Sequence, residues 1–515
     1  MNTRPSLLSL TILATFLTVH PAAKAQSAPS SPCSGPNGSR FNLEPRANAV
    51  VQAAESVAFL PNGAGHGLDL VLATAIDERG LGGSTDAFYV QRSTANCHPD
   101  LEGGLPFISN VFDLFEPFGT PVAVADPAHD AFFIADLRFG TTTDDNGVGI
   151  VKATAASLLN KSACPNGTQS SGSAGCFTAS SVFNITSLNA FLSNPHIAVD
   201  QRSSGTGAGD VYAVVTQADP NDTLHNSIFM MACRNADLNC SNSIKISGAD
   251  LEGDFGWVQV RPDGSITVSY RNTSFPGINP EDIKFVNCTP HGAPNPPTCN
   301  TPVTVTSEKT PVFASFIGDV PMGDALYPEH AHRLESDGKT VTTFLVYDRC
   351  EVPAIEYGFV EAFCPKTDVV VTSSSDGGRI WSPVTKVTNS PGQQFFGAVA
   401  TDTSTGSVSI AYYSTEKDPF QQRPQVFLAQ IAPGATSVGT PQLLTSASAD
   451  AGARSPVITL TAPKGFGDRI GLAAGGTGAS GQSHAYVGFT WNSVFGTYGG
   501  VPMPEMNNHL TQLQY

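Results

Sequence analysis

Basic residues are scarce in this chain. Lys and Arg number 27 of 515 residues against 44 Asp and Glu, a formal net charge of −17. No basic stripe is available to neutralise a run of phosphates, so nucleic acid is excluded as a partner class. Other absences narrow the field further. The ten cysteines contain no C-x-x-C spacing, which argues against a zinc ribbon. There is no G-x-S-x-G elbow, no H-E-x-x-H pair and no Gly-rich phosphate loop. Long helical periodicities are missing, and beyond the N-terminus no apolar run approaches the length that spans a bilayer.

What is abundant is turn chemistry. With 49 Gly, 38 Pro and 14% charged residues, the composition points to an all-β chain. The N-terminus carries Arg4, an apolar run from Leu7 to Val19 and the small-x-small site Ala23-Lys24-Ala25. These are the parts of a secretory signal over residues 1–25, so the expected product is secreted, to the periplasm or the extracellular space. In that setting cysteines pair. Local spacing suggests Cys164–Cys176, Cys233–Cys240, Cys288–Cys299 and Cys350–Cys364, which leaves Cys33–Cys97 by elimination.

Aligning the chain with itself reveals one phrase seven times: an apolar strand, an Asp/Gly turn, a second apolar strand, a polar loop and a third strand. The first strands begin at Val57, Val122, Ile197, Trp257, His332, Ala398 and Val457. The second begin at Leu70, Phe132, Val211, Ile266, Thr343, Val408 and Ile470. Copies start roughly 60 to 75 residues apart, enough for a four-stranded antiparallel blade. The predicted fold is a single seven-bladed β-propeller over residues 51–495. Residues 26–50 form a lead-in that could close the ring, and 496–515 form a tail. A six-bladed ring with one degenerate unit is the alternative, and an array of β-sandwiches the more distant one.

Unit five carries a distinctive turn, Ser375-Asp376-Gly377-Gly378-Arg379-Ile380-Trp381. It fits an Asp-box, S-x-D-x-G-x-x-W, in which the Asp accepts from backbone N–H groups of its own turn and the Gly pair supplies positive φ. Units two, three and four have a local cysteine pair near the same connection, so disulfides are expected to staple those turns instead.

The signal peptide, the Asp-box and the phrase Pro195-His196-Ile197-Ala198-Val199-Asp200 through Asp210-Val211-Tyr212 resemble secreted bacterial sialidase-like propellers of the Asp-box (BNR repeat) type. The resemblance implies a glycoside hydrolase of the exo-α-sialidase type. Such an enzyme uses a tyrosine nucleophile paired with glutamate, an aspartic acid/base and arginines that grip the substrate carboxylate. By analogy Tyr347 or Tyr270 with Glu329 would form the pair, and Asp77 or Asp136 would be the acid. No F/Y-R-I-P motif is present, and there is one Asp-box where sialidases have several.

The residues themselves suggest where a ligand would sit. Four units place an arginine just after the second strand: Arg79, Arg138, Arg271 and Arg349. Together they could form a guanidinium funnel for a carboxylate or sulfate, or they could make salt bridges between blades. Before unit five, Tyr327-Pro328-Glu329-His330-Ala331-His332-Arg333 gathers four kinds of functional side chain. His330 and His332 share a face at strand period and could hold a metal, act as a base or be satisfied strand residues. His196 occupies the matching point before unit three.

The functional expectation is an exported, monomeric propeller that binds or cleaves an anionic glycan. The alternatives are a non-catalytic binding propeller for glycan or protein, and a uronate lyase in which His330 or His196 works beside tyrosine. No cofactor is required by any of these. Calcium could bind at Asp144-Asp145-Asn146-Gly147 or Asp219-Pro220-Asn221-Asp222, although neither completes a loop motif.

Overall fold

A computed structural model describes most of residues 52–514. Residues 1–51, the last residue and connecting segments such as 62–68, 78–85, 92–98, 186–190, 273–280, 309–313, 322–326, 352–362, 446–453 and 465–468 lie outside the description. The leader, Cys33, Cys97 and Arg79 are among them.

Strands consecutive in sequence pair antiparallel into successive small sheets. Blade 1 runs Gln52–Leu60, Leu70–Asp77, Asp86–Gln91 and Leu101–Gly104. Blade 2 has Leu114–Asp126, Ala131–Gly140, Asn146–Thr154 and Ala179–Ile185, with Ile108–Ser109 alongside its first strand. Blade 3 is Leu192–Val199, Val211–Asp219, Asp222–Cys233 and Ile244–Lys245. Blade 4 is Gly253–Val260, Ile266–Asn272 and Glu281–Thr289, flanked by both Thr298–Cys299 and Val303–Glu308.

Blade 5 has Glu329–Leu334, Val341–Cys350, Thr367–Ser374 and Thr385–Lys386. Blade 6 has Gln394–Thr401, Val408–Ser414, Gln425–Ile431 and Gln442–Leu443. Blade 7 is Gly471–Gly476, Ser483–Tyr498 and Val501–Gln514. The first strand of each blade touches the first strand of the next, and those of blade 7 touch blade 1. The molecule is therefore a seven-bladed β-propeller with the first strands innermost. Among the described residues the only α-helix is Ala155–Leu159.

The core lies between blades. Seven apolar clusters each join one neighbouring pair, including Phe59 and Tyr486 across the closing seam, stacked at 5.0 Å. A blade is covered on both faces, so its second strand reads as a continuous apolar run. In blade 5 every residue from Val341 to Asp348 is buried.

The connections between third and fourth strands carry the staples. Disulfides Cys164–Cys176, Cys233–Cys240 and Cys288–Cys299 sit there in blades 2, 3 and 4. Cys350 is also disulfide-bonded. The corresponding turn of blade 5 is held by Asp376, whose Oδ1 accepts from the backbone N–H groups of Arg379 and Ile380 at 3.0 Å each. The serine that bonds Asp376 is Ser374, which also accepts from Gly378 N. Gly377 and Gly378 have φ of 82° and 85°, and Trp381 Nε1 donates to Gly378 O.

Two boundaries differ from expectation. Residues 496–515 were expected as a tail, yet Val501–Gln514 pairs along the second strand of blade 7. Unit seven is also shifted by one strand. Ile470–Ala473 was read as its second strand, but Gly471–Gly476 is the innermost one, lying against blades 6 and 1.

Candidate functional site

Inner strands enter the ring with a kink. Pairing register breaks between Ser193 and His196, Asp254 and Trp257, and Phe395 and Ala398, with further breaks in blades 1 and 2. Thr120, Asn194, Phe255 and Phe396 take positive φ at these points. A bulge of this kind re-aims the side chains beside it. Neighbouring carboxylates hold the kinks. Asp348, at the end of blade 5's second strand, accepts from Phe396 N at 2.7 Å and Gly397 N at 3.2 Å. Burial nonetheless pushes its carboxyl up to about 6.

At this end of the ring Tyr327, Glu329, Asp348, Phe396, Gly397, Arg469 and Ile470 line a small pocket. Arg469 immediately precedes the innermost strand of blade 7 and is 6% exposed. Its Nη2 donates to the Tyr327 hydroxyl at 2.8 Å, and its guanidinium carbon lies 4.7 Å over the same ring. Its Nε is buried with no acceptor among the described residues. The Tyr327 hydroxyl donates onward to Asn194 Oδ1 at 3.2 Å, and Asn194 Nδ2 donates to Asp254 at 2.9 Å. Phe255 and Trp257 pack edge-on against Tyr327.

Glu329 begins the inner strand of blade 5. Its Oε2 accepts from Val399 N at 3.1 Å. Burial, and to a lesser degree the nearby Asp348 charge, push its carboxyl well above the usual glutamate range, although Val399 N–H and Arg469 oppose that shift. His196 lies 3.6 Å from the Trp257 ring and accepts from Val258 N through Nδ1. Burial first, then the Arg469 charge, hold it neutral. Blades 3, 4, 5 and 7 thus surround one buried cation with aromatic rings and a carboxyl that favours its neutral form.

Two of the sequence candidates, Glu329 and His196, are brought into this cluster. Arg138, Arg271 and Arg349, the three of the four arginines that are described, are not gathered. Arg138 donates to Asp136 Oδ1 at 2.9 Å and to Pro106 O. Arg271 is buried, pairs with Glu281 and donates to Asp348 O across to blade 5. Arg349 lies 3.9 Å from Glu351. The ion pairs of Arg271 and Arg138 lie within their own blades, with Glu281 and Asp136, and the reach of Arg271 to blade 5 is a hydrogen bond to a backbone carbonyl. Asp136 is held by Arg138, and burial raises it to about 6. The side chain of Asp77 lies outside the described residues, as does Arg79.

The tyrosine–glutamate pair takes different partners. Tyr347 donates to Glu308 and Tyr270 donates to Asp250 at 2.6 Å, neither to Glu329. Both tyrosines belong to apolar clusters between blades, and burial raises both hydroxyls.

His330 and His332 do share a face, but within the inner strand, where hydroxyls saturate them. Thr267 Oγ1 lies 2.8 Å from both Nε2 atoms, Ser269 Oγ is 2.7 Å from His330 Nδ1, and Thr343 Oγ1 is 3.0 Å from His332 Nδ1. One proton assignment satisfies every atom with both rings neutral. Burial lowers His332 to about 3 and His330 well below the ordinary range. Neither keeps a lone pair for a substrate.

Among the described residues no group of three His, Cys, Asp or Glu side chains is placed to hold a metal. Both candidate calcium turns run through residues outside the description. No described helix is long and apolar enough to cross a membrane.

No family model matches the chain, and no curated protein matches it by sequence. Solved structures do. A Hadza microbial sialidase aligns over 86% of this chain and 76% of its own, at 10% identity and TM-score 0.41. A polysaccharide lyase, an ulvan lyase, aligns over 76% and 86% at 11% identity and TM-score 0.38. A protein of unknown function from Dyadobacter fermentans aligns over 92% and 97% at 9% identity and TM-score 0.40.

Proposed function

We propose that this is an exported propeller that binds the acidic group of a glycan in the axial cleft, with Arg469 as the anchoring cation. The observation that carries this reading is the state of Arg469. A buried guanidinium normally sits against a carboxylate. This one leans on a neutral tyrosine, keeps a spare donor at Nε, and faces a carboxyl that burial keeps protonation-prone. A carboxylate or sulfate from outside would supply the missing counter-charge through paired N–H bonds. Trp257 and Tyr327 would flank it, and a neutral Glu329 could donate to it.

Binding is favoured over sialidase-type hydrolysis because Arg138, Arg271 and Arg349 are engaged elsewhere and neither candidate tyrosine meets Glu329. One observation supports a catalytic second reading. Glu329 and Asp348 both line the cleft with raised carboxyls, the pattern a general acid requires. Incubation with a sialoside and with a uronate polysaccharide, followed by release of sugar and by absorbance of unsaturated product, separates the readings. Saturable binding without turnover supports the first, and turnover abolished by Glu329→Gln supports the second. Absence of binding to any acidic saccharide overturns both.

A further inference from the structure

Three phenylalanines form a surface cluster on the same end of the ring as the cleft. Phe118, on the inner strand of blade 2, and Phe191, just before the inner strand of blade 3, are each 53% exposed. Phe139, at the end of blade 2's second strand, lies between them, 4.4 Å edge-on to Phe118 and 6.4 Å from Phe191. Leu114, 40% exposed, extends the patch. These rings are set on ordered backbone. Phe139 pairs with Glu116 across the ladder, Phe118 stands at the bulge between the paired Pro117 and Gly119, and Phe191 O accepts from Ala218 N at 2.9 Å.

The geometry points to a sugar-stacking platform that continues the axial cleft, so that the site takes an oligosaccharide rather than a single acidic sugar. Phe191 is three residues from Asn194, which bonds Tyr327, so along an extended strand the platform begins about 10 Å from the cleft cluster. The occupant follows from the company the rings keep. Glu116 stands directly across the ladder from Phe139, on the same face as Leu114 and Phe118 by strand alternation. A pyranose offers a C–H face to an aromatic ring and hydroxyls to a carboxylate. A lipid surface would have to desolvate that carboxylate.

This inference rests on the axial reading, and a printed array of sialic- and uronic-acid saccharides, one to six residues long, tests the two separately. Wild type, the Phe118→Ala/Phe191→Ala double variant, Glu116→Gln and Arg469→Gln are compared, with affinities of the hits measured by titration. The expected result is that longer saccharides bind wild type about ten-fold tighter than the monosaccharide, as stacking contacts would give. The double variant should lose that gain and keep monosaccharide affinity, Glu116→Gln should lose part of it, and Arg469→Gln should weaken binding at every length.

If chain length adds nothing, or the double variant binds the hexasaccharide like wild type, the platform is wrong and the axial reading stands. Binding that survives Arg469→Gln undiminished but needs the phenylalanines would overturn the axial reading alone. An array with no hits sinks both. Pelleting with phosphatidylcholine vesicles, or self-association in sedimentation, that the double variant abolishes would assign the patch to a membrane or a second copy and overturn the platform. Phe118 and Phe191 are exposed positions, and an unchanged melting curve confirms that each variant folds.

Discussion

Arg469 and Tyr327 are joined in two ways: Nη2 donates to the hydroxyl at 2.8 Å, and the guanidinium lies 4.7 Å over the ring. Tyr327 precedes blade 5 and Arg469 precedes blade 7, so the contact spans 142 residues and the mouth of the ring. It holds a cation in place without neutralising it. That combination stabilises the fold little and suits a ligand that brings the negative charge.

Removing the cation should therefore leave stability intact. A buried charge without an ionic partner carries a desolvation cost, and replacing it with a neutral amide removes that cost. Arg469→Gln is expected to show a thermal midpoint equal to or above wild type. A marked fall would mean that the guanidinium is a structural tie.

Tyr327→Phe separates the two halves of that contact. The ring remains for packing, while the hydroxyl that links Arg469 to Asn194 is lost. A cost of about 1–2 kcal/mol is expected from the unpaired groups, read by denaturant unfolding, together with weaker acidic-saccharide binding.

Glu329 gives the cleft a pH signature. Its carboxyl is raised in the folded protein above the ordinary value of 4.5. The folded state thus holds a proton that the unfolded state has released, and stability falls as pH rises from about 4.5 through the folded value. Glu329→Gln keeps an acceptor for Val399 N and removes this penalty. The variant should melt higher than wild type at neutral pH and about equal to it near pH 4.

The histidine pair has the opposite sign. His332 is lowered from 6.5 to about 3, so the unfolded chain gains a proton before the folded one as pH falls. Stability from the neutral pair is present above 6.5 and is lost progressively between 6.5 and 3. His332→Gln should flatten that part of the pH–stability curve. It should leave saccharide binding unchanged, because both ring nitrogens are engaged by threonines inside the fold.

Much of the architecture was legible because a propeller repeats its instructions. Second strands covered on both sides appear as apolar runs such as Phe132-Phe133-Ile134, and the stapled turns recur at one connection. The site was legible only in part. Glu329 and His196 were found because they stand just before the apolar phrases of well-marked units, in what the structure shows to be inner strands. Arg469 was missed because unit seven is poor in apolar residues and its inner strand, Gly471–Gly476, contains three glycines. Reading that segment as a second strand put Arg469 in a turn at the far end of the blade. The arginines after second strands attracted attention by position and number. Which acid each would meet depended on strand pairing, as Arg271 shows by meeting Glu281 on the adjacent strand of its own blade. One signal could have redirected the search. The kinks leave Pro or Gly after a positive-φ residue, as at Asn194-Pro195 and Phe396-Gly397, and these points mark the mouth of the ring.

The central claim is that Arg469 anchors an acidic saccharide, and titration calorimetry tests it most directly. Wild type, Arg469→Gln and Arg469→Lys would be titrated with the tightest acidic saccharide found on the array and with its neutral methyl ester. The account predicts that Arg469→Gln and esterification each weaken binding roughly 10- to 100-fold, the loss expected for a charge-assisted bond. Lysine should restore only part, since it lacks the planar fork. Equal affinity of wild type and Arg469→Gln for the acid would contradict the account.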